Sequence, residues 1–431
     1  MKKILQKEHQ KIDKEKLGVG CFDVPPNARK YINQVLDTKR ISYGPFIQRF
    51  EKEFSAGHGA KFGVMVNSGT SALRIAVACL KETEKWNVGD EIIVPAVTFV
   101  ATSNVIIDHG FKPVFVDVDP VTYNLDATKI EEKITKRTKA IMVVHLFGHP
   151  AEMKQIMALA KKYKLKVIED SCETMYAKHH GQSVGSFGDI ACFSTYVAHL
   201  IVTGVGGVAV TNNKKYAEIL RSLANHGRDG IYISMDDAKG KEGKDLKEVV
   251  SRRFKFIRPG YSFRVTEFEG ALGCAQIEIV THTFKKRREN AHYLRDKLQP
   301  LEDRMQLPYY PAHNDHVFMM FPVVIKKGSG IKKTDLVNYL EENGIETRDM
   351  LPLINQPFYK KMFKIKQSDY PVADWINNYG FYIGCHQQMR KVELDYIVGH
   401  FQNFFDQHSK VSKKNRNKIQ FTFVTNRKKS G

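Results

Sequence analysis

The chain has 431 residues, 42% of them hydrophobic and 11% aromatic, which suffices for a large core and excludes a disordered chain. Its formal net charge is +20, from 67 Lys and Arg against 47 Asp and Glu, without a nucleic-acid motif to make that charge a binding surface for DNA or RNA. No apolar run approaches the roughly 18 residues of a membrane span, and Met1 to Glu8 have no apolar stretch behind them as a secretory leader would. A cytoplasmic, membrane-free protein is expected.

Residues 1–20 read as a charged N-terminal extension. Thr70 to Lys81 reads as a helix, because Leu73, Ala76, Val77 and Leu80 recur at helical spacing. Glu91–Pro95 reads as a buried strand, Thr102–His109 as a helix and Pro113–Val118 as a strand. Lys139–Leu146 is the next strand, Met153–Tyr163 a helix and Leu165–Glu169 a strand. This alternation implies a mainly parallel sheet with helices on both faces. Met235–Val250, with glycines among lysines and acids, reads as an exposed insertion. Beyond it come a long helix from Glu267 to Lys297, a strand at Val317–Ile325 and a helix at Lys333–Asn343 ending on Gly344. The expected domains are a large one at 21–264 and a smaller α/β one at 265–408, joined by the long helix. A basic tail follows at 409–431, where eight Lys or Arg stand without an acid. No two of the six cysteines are closer than the twenty residues between Cys172 and Cys192. That spacing encodes neither a disulfide framework nor a Cys-x-x-Cys metal site, so no metal is expected.

Two positions carry chemistry on their own terms. Ser68-Gly69-Thr70-Ser71 precedes the first long helix. Small hydroxylated residues there cap the helix or, with its free N–H groups, hold an anion. Asp170 ends an apolar strand, as a surface carboxylate or a functional one.

Larger blocks set the context. Asn67 to Leu73 is followed by Gly89 to Pro95, Thr98 to Thr102, Pro113 to Val118 and Val167 to Asp170. Cys192-Phe193-Ser194-Thr195-Tyr196-Val197-Ala198-His199 leads to Gly206-Gly207, and Gly260 to Glu267 precedes Gly270-Ala271-Leu272-Gly273. In order and spacing, over Val24 to Phe405, these resemble the DegT/DnrJ/EryC1/StrS family of sugar aminotransferases that use pyridoxal phosphate. In most members a lysine lies five residues after the serine that matches Ser194. Here His199 stands in its place, and imidazole cannot condense with the cofactor aldehyde as lysine does.

The resemblance implies the aspartate-aminotransferase fold, fold type I of the pyridoxal-phosphate enzymes. It has a large domain around a mainly parallel sheet of seven-stranded type and a smaller C-terminal α/β domain. It implies a homodimer and pyridoxamine or pyridoxal 5'-phosphate bound without a covalent link. Gly69, Thr70, Ser71 and Ser194 would hold the phosphate, Asp170 the pyridine nitrogen, and Phe99 would stack on the ring. Glu173 would stand near the phenolic oxygen, and Ser262 would reach the phosphate across a dimer interface. His199 would be the proton-transfer base, and the other histidines, among them His179, His180, His316 and His386, structural or exposed. The histidine resembles that of the family's 3-dehydratases, which act on nucleotide-linked keto sugars in deoxy- and amino-sugar and surface-polysaccharide biosynthesis. Without clustered cysteines the chain resembles the dehydratases that lack an iron–sulfur cluster and use an amino donor such as glutamate. A sugar aminotransferase with unusual cofactor handling and a non-catalytic cofactor or sugar-nucleotide binder remain the alternatives. A positive field suits an anionic nucleotide-sugar substrate.

Overall fold

The computed structural model describes residues 17–229 and 238–426, with side chains described to residue 408. Helices α1 (Ala28–Thr38) and α2 (Pro45–Gly57) lead into strand β1 (Phe62–Val66), then α3 (Gly69–Thr83), β2 (Glu91–Pro95), α4 (Val100–Asp108) and β3 (Lys112–Val116). Next come β4 (Thr138–Val144), α5 (Met153–Tyr163), β5 (Lys166–Asp170) and the short hairpin β6 (Lys178–His179) and β7 (Gln182–Ser183). Strands β8 (Ile190–Ser194) and β9 (Gly207–Thr211), with helices α6 (Lys214–Ala224) and α7 (Gly243–Arg252), complete this part.

Seven strands form one sheet in the order β1-β9-β8-β5-β4-β2-β3. Only β9 runs against its neighbours; the pairs β2–β3, β2–β4, β4–β5 and β5–β8 are parallel. Every residue of β2, β8 and β9 is buried, as a sheet covered on both faces demands of its central strands. Helix α8 (Glu267–Leu298) starts at a capping box, in which Thr266 and Glu269 satisfy each other's backbone N–H, and runs 32 residues to the second sheet. That sheet is antiparallel, ordered β10-β11-β13-β12 from β10 (Met305–Gln306), β11 (Phe321–Ile325), β12 (Thr347–Asp349) and β13 (Gly380–Ile383). Helices α9 (Lys333–Glu342), α10 (Pro357–Phe363), α11 (Pro371–Tyr379) and α12 (Lys391–Asn426) accompany it.

The expected elements are present within a few residues of their places, with four differences. Val317 to Met320 do not extend β11. Val317 and Met319 instead donate their N–H groups to Gly148 and Phe147 carbonyls, and Phe318 sits at φ 48, outside strand geometry. The stretch expected as an exposed insertion, Met235–Val250, is exposed at most of its described positions but contains most of α7, whose Val249 is buried; Met235 to Asp237 lie outside the described residues. The charged N-terminal extension also packs at its end. Residues 1–16 lie outside the described residues, but Leu17 is buried in the small-domain core beside Phe381 and Ile383, and Glu346 accepts the Val19 N–H at 2.7 Å. Charge dominates residues 1–16, whereas Leu17 and the hydrogen bonds to Glu346 dock the residues just after them. Backbone of α12 also continues into the range expected as a basic tail, as far as Asn426. No helix among the described residues is long and apolar enough to cross a membrane.

Candidate active site

Three chain segments converge at the C-terminal ends of the central strands. At the N-terminus of α3, a Cβ on Gly69 would come within 2.7 Å of the Ser194 Cβ and 2.8 Å of the Cys172 Sγ. Only glycine lets the helix end meet the tip of β8 and the turn after β5. Gly207 does the same from β9: a Cβ there would lie 2.4 Å from the Ser68 carbonyl oxygen. Beside this junction is a cavity of about 500 Å³.

Its floor belongs to the large sheet. Asp170, at the tip of β5, is buried and accepts a 2.8 Å hydrogen bond from the Thr102 hydroxyl, which is itself paired with Thr98. Burial raises its carboxyl above the usual range, while the Thr102 and Cys172 hydrogen bonds oppose the shift. Behind it, the Ala151 N–H occupies His145 Nδ1 at 3.0 Å, so the proton sits on Nε2 and is donated to Glu169 at 3.1 Å. Glu169 also accepts the N–H groups of Gly185, Phe187 and Gly188, which makes this buried carboxylate a fixed part of the scaffold. Glu173 faces the cavity, holds the Phe147 N–H at 2.9 Å, and is pushed up to about 7 by desolvation.

His199 closes one side. Its Nδ1 lies 3.1 Å from the Ser194 carbonyl oxygen. A carbonyl only accepts, so Nδ1 carries the proton and Nε2 keeps a free lone pair. Desolvation lowers the imidazole to about 4, against that hydrogen bond, so the ring is neutral at pH 7. At the α3 end, the Ser68 hydroxyl caps the Ser71 N–H at 3.1 Å, while helix geometry leaves the N–H groups of Gly69 and Thr70 without an intrahelical acceptor.

The DegT/DnrJ/EryC1/StrS aminotransferase family matches residues 24–402. The chain belongs to that family. It is 31% identical over 420 residues to the lipopolysaccharide biosynthesis protein RfbH of Salmonella typhimurium, covering 93% of this chain and 96% of that one. To the GDP-4-keto-6-deoxy-D-mannose 3-dehydratase of Escherichia coli O55:H7 it is 33% identical over 376 residues, 85% of this chain and 95% of the other. A solved E. coli GDP-4-keto-6-deoxy-D-mannose-3-dehydratase with bound hydrated PLP superposes at a TM-score of 0.79 and 31% identity, covering 89% of this chain and 98% of that one. The fold is therefore that of the type I pyridoxal-phosphate enzymes, as the family resemblance implied.

Of the residues singled out in this family member's sequence, Gly69, Thr70, Phe99, Asp170, Glu173, Ser194 and His199 line one cavity. Two do not. Ser71 is buried behind the helix end, its hydroxyl donated to Asn67 Oδ1 at 2.7 Å and its N–H to the capping Ser68. Ser262 is exposed, takes a hydrogen bond from Arg264 at 3.2 Å, and stands outside this chain's cavity. Conversely, Val19, Met319, Met320, Arg348 and Tyr382 line the cavity and were not singled out. They come from the N-terminal strap and the small domain, and no local pattern marks them. Thr102 was also missed, although a hydroxyl one helical turn after Thr98 is a signal that a second polar face exists.

Proposed function

We propose that this protein binds pyridoxamine or pyridoxal 5'-phosphate without a covalent link and removes the C3 hydroxyl of a nucleotide-linked 4-keto-6-deoxy sugar, in deoxy-sugar and surface-polysaccharide biosynthesis. The observation that carries this reading is His199: a neutral imidazole, Nε2 unpartnered among the described residues, in the cavity that also contains Asp170. The residues present fit the cofactor. Asp170 is a buried acceptor suited to a protonated pyridine nitrogen. The free N–H groups of Gly69 and Thr70, with Ser194 pressed against Gly69, suit a phosphate. Phe99, 57% exposed at the start of α4, presents an unpacked ring face.

When bound, the cofactor's pyridine ring supplies a sink for the electrons left when a neighbouring carbon loses a proton. The chain does the rest. Asp170 would hold the ring nitrogen in its protonated form, and Thr102 keeps Asp170 in place. His199 Nε2 takes up the proton, with Nδ1 anchored on Ser194 so that the imidazole cannot turn away. Arg348, half-exposed on β12 and ion-paired with Glu346, lines the cavity and can turn its guanidinium to the substrate's diphosphate. Glutamate, as amino donor, would supply the two electrons that replacement of the C3 hydroxyl by hydrogen needs, leaving as 2-oxoglutarate and ammonia. Exposed apolar residues near the cavity mouth, Tyr196, Val197 and Val205, and the exposed Phe254, Phe256 and Ile257 suit a second copy of this chain, which brings Ser262 to the partner's phosphate site. A cytoplasmic location fits a nucleotide-sugar substrate.

The test is incubation of the purified chain with pyridoxamine phosphate, glutamate and a panel of nucleotide-linked 4-keto-6-deoxyhexoses, GDP-linked first. The expected product lacks oxygen at C3. An amine at C4 instead makes the protein an aminotransferase, and no change in any sugar makes it a binder. Borohydride treatment before denaturation should fix no cofactor to the chain; fixation on a lysine defeats the assignment of His199.

A further inference from the structure

A cluster of histidines lies apart from the cavity, none of them among its lining residues. The β6–β7 hairpin turns through His180 and Gly181, both at positive φ (49° and 82°). Residues 313–315, on the way to β11, lie along this hairpin like a third strand: His180 N–H bonds to the His313 carbonyl and Asp315 N–H to the Lys178 carbonyl, both at 2.8 Å. The pairing stacks the His180 and His313 rings, with centroids 4.6 Å apart and planes 11° from parallel. It also sets His179 beside them, so that one ring nitrogen from each of the three lies within 4.8 Å of the others.

His179 is held as a metal ligand is held. Its ring is buried, and Nδ1 lies 2.5 Å from Asn314 Oδ1. The amide cannot be flipped, because Asn314 Nδ2 donates to the Pro150 carbonyl at 3.2 Å. Nδ1 therefore carries the proton, and the lone pair is on Nε2. Orientation of a ligating imidazole by an oxygen on its other nitrogen is the usual outer-shell arrangement. Nε2 accepts a long hydrogen bond, 3.4 Å, from the Lys154 N–H, which an ion would displace. The Glu152 carboxylate completes the group, 3.3 Å from His313 Nε2 and 4.0 Å from His179 Nε2.

We propose that His179, His180 and His313, with Glu152 as fourth donor, bind a tetrahedral divalent transition-metal ion, zinc foremost. Three imidazoles and one carboxylate match zinc's preferred donors and coordination number. Bonds of about 2.0–2.1 Å require the nitrogens to close to roughly 3.3 Å. His180 and His313 are exposed and can swing that far, whereas His179 is the fixed point. The ion clips residues 313–315, which lead into the small sheet, onto the hairpin of the large domain. This site is independent of the proposed activity.

The experiment uses the untagged full-length protein, stripped with chelator and titrated calorimetrically with zinc chloride. One equivalent should bind saturably in the presence of excess magnesium, which disfavours imidazole donors. His180→Gln and His313→Gln, both at exposed positions, should each weaken binding by about tenfold or more. The unfolding midpoint should rise with zinc in the wild type and not in the double variant. Cobalt should give the intense visible bands of a tetrahedral ion. Absence of a saturable equivalent, affinity unchanged in the double variant, or a weak octahedral cobalt spectrum of the wild type overturns the proposal. The cobalt spectrum needs no variant and decides the matter even where a variant fails to fold.

Discussion

The floor of the cavity comes from neighbouring pieces of one sheet, and its rim from segments hundreds of residues apart. On the floor, Asp170, Ser194 and the α3 end are each fixed by a strand tip or a helix terminus, and their partners are backbone groups or buried hydroxyls. On the rim, Val19, Arg348 and Tyr382 arrive from a strap that docks by Leu17 and from the antiparallel sheet. Rigid placement suits groups that must act at one atom. A rim built on a second domain suits recognition, where small shifts cost affinity before they cost chemistry. The comparison predicts that floor substitutions lower kcat and rim substitutions raise KM.

The largest effect belongs to His199→Asn. Turnover should fall about 10³-fold, within the span of a positioned acid–base group. Pyridoxamine phosphate should still bind, because its contacts lie elsewhere. Steady-state assay and cofactor absorbance read the two together, and a variant with near-normal turnover would break the contrast at its centre. Asp170→Asn comes next, at about a hundredfold or roughly 3 kcal/mol. An amide cannot hold a ring nitrogen protonated as a carboxylate does, and restored activity with a cofactor bearing a permanently charged ring nitrogen would sharpen the assignment.

The same contrast explains what could be read without a structure. Asp170, Ser194 and His199 sit in short blocks whose hydrophobic runs and glycines mark strand ends and turns. Gly69 and Gly207 are there because backbone and side chain meet within 3 Å of where a Cβ would be, so the packing constraint itself is written locally. Leu17 and Arg348 carry no such mark. Leu17 depends on the Val19–Glu346 hydrogen bond, a contact across most of the chain, and Arg348 on β12 pairing with β13, a strand it reaches only past two intervening helices. Val317 to Met320 have the composition of a strand but satisfy the carbonyls of Phe147 and Gly148, a tertiary demand that periodicity cannot display.

Leu17→Ala tests the strap. The side chain is 1% exposed, and removing it from the small-domain core should cost about 2–3 kcal/mol in denaturant unfolding. KM should rise as Val19 loses its anchor, with kcat changed little. A fall in kcat matching that of the floor variants would mean that the strap also positions the reacting groups. Arg348→Ala should be milder, raising KM for the nucleotide sugar about tenfold, or 1.4 kcal/mol, at constant kcat. High salt should shrink the difference from wild type, since the guanidinium is half-exposed.

The smallest effect sharpens the comparison from the floor's side. Desolvation holds the Glu173 carboxyl at about 7 in the folded protein, above its ordinary 4.5. Between those values the unfolded chain releases the proton while the folded chain keeps it. Glu173 thus contributes fully below pH 4.5, and its contribution is lost as pH rises through 7. Glu173→Gln keeps an acceptor for the Phe147 N–H and removes the titration. In the cofactor-free protein the variant should match wild type at pH 4.5 and exceed it at pH 8. Open surface toward the cavity limits the gain to about 1 kcal/mol, less than the full shift would give. The buried histidines His58 and His149, lowered to about 4 and about 3 by burial, destabilise the fold as pH falls below 6.5. They do so equally in both proteins, so the difference between the two denaturation curves isolates Glu173. A variant less stable than wild type at pH 8 would show that the carboxylate is held charged, and that the floor is more polar than its burial implies.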